Sequence, residues 1–135
     1  MEEFRTETPI AAYRLMDGIF QCILKPDLIV DERLAKRLVA ERLSVLKGDS
    51  FPTLIIIPRE HLLYENGANH YLASDEGLKQ VSALAIVVKT PLRNLLSNIS
   101  MLFYKNSVPF RLFTSRREAQ LWLFDYVKDK ELVEF

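Results

Sequence analysis

The feature that most restricts this chain is Thr53-Leu54-Ile55-Ile56-Ile57, an unbroken β-branched and leucine run without polar alternation. A strand of that kind has no face to give to water, so it is either covered by helices on both faces or at the centre of a sheet. Pro58 is expected at its end, because proline cannot donate to the ladder. Leu84 to Val88 is a second run of the same type. Helical patterns stand around both. Asp31 is placed to cap a helix whose apolar positions Leu34, Ala35, Leu38, Val39, Leu43 and Leu46 recur at spacings of three and four. Glu32, Arg33, Lys36, Arg37 and Arg42 fall mostly on its opposite side, and Gly48 ends it.

The alternation of strand and helix continues. Ala68, Tyr71 and Leu72 predict a short helix starting near Asn66, with Gly77 as its C-terminal stop. Thr90-Pro91 supplies a cap and a first-turn proline for a helix presenting Leu92, Leu95, Leu96, Ile99, Leu102 and Phe103. Phe110 to Phe113 reads as a strand. Ser115-Arg116-Arg117-Glu118 is a capping box opening a last helix with Ala119, Trp122, Leu123, Tyr126 and Val127 as its inner stripe. Ahead of all this, Ile10–Met16 and Ile19–Leu24 flank Asp17-Gly18, the dipeptide of a two-residue type I′ hairpin turn. Lys25-Pro26-Asp27 breaks the hairpin, and Leu28-Ile29-Val30 adds a short extended piece. Residues 1–9 lack periodicity and read as a loose arm.

With 135 residues the chain holds one core of ordinary size, so residues 1–135 are read as a single domain. The expected class is an α/β sandwich: an N-terminal β-hairpin, then βα units with right-handed crossovers, a mixed sheet and about four helices. Lysine and arginine number 18 and aspartate and glutamate 18, so no net charge draws the chain to nucleic acid or an anionic membrane. Cys22 stands alone, which excludes an internal disulfide and points to a reducing, cytoplasmic setting. The segment MEEFRTETPI does not have the basic and then apolar pattern of a signal peptide, and no apolar run is long enough to span a membrane.

The element order resembles the STAS/SpoIIAA-like fold, best known from anti-sigma-factor antagonists. The segments Tyr13-Arg14-Leu15-Met16-Asp17-Gly18-Ile19, Tyr71-Leu72-Ala73-Ser74-Asp75-Glu76-Gly77-Leu78 and Phe110-Arg111-Leu112-Phe113-Thr114, with Glu118-Ala119 and Trp122-Leu123 behind them, look like landmarks of small uncharacterised bacterial proteins of that fold. The resemblance implies a regulatory domain that binds another protein. Antagonist members carry an Asp-Ser-Ser-Gly-like turn whose serine is phosphorylated. Here the corresponding stretch is Tyr64-Glu65-Asn66-Gly67-Ala68, so serine phosphorylation does not carry over, although Glu65 supplies part of the charge of a phosphoserine.

Chemistry-bearing residues are sparse. His61 and His70 lie near Glu60, Glu65 and Asp75, but the spacing fits no metal motif, and ordinary surface histidines are the simpler reading. Cys22, inside an apolar strand run, reads as a core residue. Thr114, Ser115, Arg116 and Arg117 place free N–H groups, a hydroxyl and two guanidiniums at a helix N-terminus after a strand, a candidate anion site whose simpler reading is capping with exposed arginines. Thr90 and Arg93 are a weaker instance. Tyr64, Glu65, Asn66 and Gly67, together with Met101, Leu121 and Phe124 outside the inner helix stripes, are candidates for contact with a partner or a second copy, as is the apolar Leu132-Val133-Glu134-Phe135.

Three classes of function follow. The first is a non-enzymatic regulatory or interaction domain with an unknown protein partner or as a homodimer, without cofactor or metal. The second is a binder of a small apolar or anionic ligand, similar to lipid-exchange domains, with a pocket beside Leu96 and Phe103. An enzyme ranks last, because no nucleophile, base and orienting group belong together.

Overall fold

A computed structural model describes residues 2–57, 66–88, 103 and 107–128. Six strands form one sheet in sequential order: β1 (Phe4–Glu7), β2 (Ala11–Met16), β3 (Ile19–Leu24), β4 (Phe51–Ile57), β5 (Val81–Val88) and β6 (Phe110–Phe113). The first three pair antiparallel and β3 through β6 pair parallel, giving the expected mixed sheet. Three helices stand among the described residues: α1 (Glu32–Leu46), α2 (Asn66–Leu72) and α3 (Arg116–Phe124). The fourth helix expected from Thr90-Pro91 lies outside the described residues, apart from helical Phe103, as does Pro58. None of the described helices is long and apolar enough to cross a membrane.

The unbroken apolar strands are explained by two cores. On one face Tyr13, Phe20, Cys22, Leu84 and Ile86 meet Ala35, Leu38 and Leu46 of α1, Ala68 of α2, and Phe103. On the other, Ile19, Leu54, Ala83, Ala85 and Val87 meet Ala119 and Leu123 of α3, with Val127 just beyond it. Alternate residues of β4 and β5 thus serve alternate cores, and each fully buried large side chain contributes about 1.5–3 kcal/mol. Alanine at 83, 85 and 119, all fully buried, keeps the contact between sheet and α3 close.

Local signals operate largely as read. Asp31 accepts from the Leu34 N–H at 2.8 Å, and Ser115 Oγ accepts from the Glu118 N–H at 3.3 Å. Helix α1 ends with Lys47 (φ 51°) and Gly48 (φ 95°) both left-handed. Pro52 is tolerated within β4 because the register against β5 shifts there.

Four expectations are corrected. Residues 4–7 are not a loose arm: they form β1, held because β2 offers a free edge and Phe4 packs on Phe20 with ring centroids 6.3 Å apart. Arg42 is not on the solvent side of α1: it is 6% exposed, and its Nη2 donates to the Gly77 carbonyl at 3.1 Å and the Lys79 carbonyl at 2.7 Å. Gly77 is not the stop of α2, which ends five residues earlier; a Cβ there would stand 2.1 Å from the Tyr71 carbonyl oxygen, so close approach is what requires glycine. Tyr126 lies past the end of α3 and is 37% exposed.

The hairpin turn is also tied to α3. Asp17 and Gly18 have φ of 55° and 76°, as a type I′ turn demands, and a Cβ on Gly18 would lie 2.5 Å from Val127 Cγ1. Gly18→Ala is expected to destabilise the fold by about 1–3 kcal/mol, through both backbone strain and the displaced valine. Urea unfolding of the variant against the parent chain checks this.

Candidate functional site

Two polar arrangements stand on opposite faces of the sheet. Under α1, the Tyr13 hydroxyl donates to Glu41 Oε1 at 2.6 Å and the Thr8 hydroxyl donates to the same oxygen at 2.8 Å. Tyr13 pairs with Cys22 across the hairpin. Burial, then the neighbouring Cys22 and Glu41, pushes the Tyr13 phenol up. Burial likewise pushes the Cys22 thiol up to about 12. A nucleophilic cysteine needs the opposite environment, so this thiol is a core group. Beside it lies a narrow cavity of about 40 Å³, lined by Tyr13, Cys22, Leu38, Arg42, Asn69 and Ile86 among others. That volume has room for about one or two water molecules and none for an acyl chain. The pocket expected beside Leu96 and Phe103 is only partly within the described residues; there Phe103 stacks on Phe110 at 4.4 Å.

The other arrangement comes from strand pairing. Arg5 of β1 stands opposite Arg14 of β2, and Arg14 opposite Gln21 of β3, so the three share one row and one face. Helix α3 packs over β3 to β6 on this face. Its first turn sends Arg116 back across the sheet to donate to Gln21 Oε1, which is how a buried glutamine in β3 finds a partner. Arg5, Arg14 and Arg116 line a groove of about 400 Å³ whose floor includes Ala12 and Ile23. Partial burial and the nearby Arg14 charge pull Arg116 below the usual guanidinium range. Among the described residues the buried Nε of Arg14 has no hydrogen-bond partner.

Arg14 also borders a neighbouring groove of about 330 Å³, with Met16, Ile19, Arg117, Leu121 and Phe124. Leu121 is 61% exposed. Three of the residues singled out in sequence, Arg117, Leu121 and Phe124, therefore share this groove, while Arg116 lines the one beside it. Ser115 is spent as the helix cap, and Thr114 is exposed beside it. Asn66 and Gly67 open α2, which packs into the core on the far face of the sheet. Tyr64, Glu65 and Met101 lie outside the described residues, as do Glu60, His61, Thr90 and Arg93. His70 is exposed at the end of α2, and no group of three or more His, Cys, Asp or Glu placed to hold a metal exists among the described residues.

Sequence reasoning missed Arg5, Arg14 and Gln21. The signal was the hairpin itself: with Asp17-Gly18 as the turn, the register places 14 opposite 21, a polar pair within otherwise apolar runs.

The fold and this face describe a three-layer α/β domain whose chemistry-bearing surface is a sheet face bordered by one helix. Residues 13–127 match a domain of unknown function, DUF7793, and the chain belongs to that family. Among solved structures it is similar to an uncharacterised protein of the DUF3478 family from Shewanella loihica PV-4, described as having a SpoIIAA-like fold. The two share 19% identity over 90% of this chain and 92% of that one, with a TM-score of 0.49. No curated protein matches.

The raised Cys22 value has a consequence for stability. A thiol whose folded pKa lies above its ordinary value of 9.0 contributes fully below that value; above it the unfolded chain ionises while the folded chain does not. Stability is therefore expected to fall as pH rises from about 9 toward 12, and Cys22→Ala to lessen this fall. Cys22 should also resist thiol reagents at pH 8 until the chain is unfolded in urea. Denaturant midpoints across alkaline pH and timed thiol labelling measure both.

Proposed function

We propose that this chain is a non-enzymatic regulatory domain that acts by binding a partner protein along α3. The observation that carries the reading is Leu121, a large apolar side chain left 61% exposed on a short helix, beside Phe124 and Met16 in a groove framed by Arg14 and Arg117. Apolar anchors bordered by arginines are the composition of a recognition surface. The STAS-type resemblance supports a regulatory role, since antagonist members act by binding partners. The Tyr64–Ala68 stretch without a serine sets any switch of this chain apart from theirs. A cytoplasmic setting goes with a single, buried thiol. A small anionic ligand is the second reading, favoured by the arginine row on β1 and β2. An enzyme remains the least favoured class.

Capture of the partner from the source cells, followed by calorimetry with the purified protein, tests this. Leu121→Asp should weaken binding by about tenfold or more, while Ile29→Ser, which alters another exposed apolar residue, should leave it unchanged. Unchanged affinity in Leu121→Asp would overturn the reading.

A further inference from the structure

The strand register sets two arginines directly across from each other on one face, Arg5 against Arg14, a like-charge pairing that ordinarily weakens a sheet. A third arrives from outside the hairpin, because Arg116 donates to Gln21, the next residue in the same row. Among the described residues no carboxylate forms an ion pair with any of the three. Glu7, the one carboxylate lining their groove among those residues, is engaged by Lys25. The chain as a whole carries no net charge, so this excess of positive charge is local. Among the described residues the buried Nε–H of Arg14 also finds no acceptor.

We propose that Arg5, Arg14 and Arg116 form a binding site for a phosphate-type dianion, either inorganic phosphate or the phosphoryl group of a larger molecule. The guanidinium fork matches phosphate oxygens two at a time, and a tetrahedral dianion has oxygens enough to accept from several forks at once. A carboxylate brings one charge and two coplanar oxygens to three guanidiniums, against the two charges and tetrahedral oxygens of a phosphate. Gln21 is a positioning residue here: its amide oxygen holds Arg116 over the strand pair. The site differs from the N-terminus of α3 itself, where the Ser115 hydroxyl accepts from the helix. It shares Arg14 and Gln21 with the neighbouring groove that Leu121 lines, whereas Arg5 and Arg116 do not line that groove.

The test is titration of the full chain with inorganic phosphate at constant ionic strength, following the arginine Nε–Hε resonances by NMR. Saturable shifts at Arg14 and Arg116 are expected, with affinity reduced about tenfold or more in Arg14→Gln and in Arg5→Gln, and unchanged in Arg33→Gln, an exposed arginine of α1. Because either of the first two substitutions relieves the like-charge pair, the unliganded variants should melt no lower than the parent. Should Arg14→Gln fail to fold, Arg5→Gln, an exposed position, carries the test alone. No saturable shift in the parent chain, or the same affinity in Arg5→Gln, would overturn the proposal. A phosphoserine peptide of otherwise neutral sequence separates the sources: tighter binding than inorganic phosphate assigns a phosphorylated segment, and equal binding assigns the free ion. Leu121→Asp should leave phosphate affinity intact, so the two readings fail separately.

Discussion

Everything in this fold depends on covering both faces of β4 and β5. Their side chains are apolar on each face, so helices must lie above and below, and the two cores follow from that demand. A six-stranded sheet is about 24 Å across, and a helix with its side chains covers about 10 Å of it. On the α1 side two helices share the work. On the other side α3 centres on β4 and β5, and among the described residues the β1–β2 end of that face carries Arg5, Glu7 and Arg14 around Ala12 and Met16.

The two faces handle buried polarity differently. Arg42 enters the α1 core and is held there by two carbonyls of the segment following α2, so its charge serves to pin that segment against the helix. Gly77 allows the pinning, because its lack of a side chain lets the segment fold back on the Tyr71 carbonyl. On the α3 side, Gln21 and Arg116 satisfy each other, but Arg5 and Arg14 are left with like charge and no acidic neighbour in ion-pair reach among the described residues. Stability alone would not favour that row. Sites that break a local rule without a structural return are where binding is to be sought.

Much of the fold was legible because its signals are local. The Asp17-Gly18 turn, the Asp31 and Ser115 caps and the β-type runs at 53–57, 84–88 and 110–113 each act within a few residues. What escaped the sequence depended on partners distant in the chain. Strand β1 is too short to show a period and exists because β2 has an edge to pair with. Arg42 occupies the stripe position between Leu38 and Leu46, a spacing that placed it inward, yet its charge argued for water until two remote carbonyls were seen to receive it.

The sequence by itself determined the class of the domain, the order of its elements and the surfaces of α3 on which Arg116, Arg117, Leu121 and Phe124 fall, since caps, turns and periodicity are properties of neighbouring residues. Only the tertiary structure decided that Arg5 and Arg14 stand beside Arg116. They are separated by about a hundred residues in sequence and meet because strand register and helix packing bring them to one groove. Charge convergence of that kind is a property of three-dimensional neighbours, and linear spacing carries no record of it.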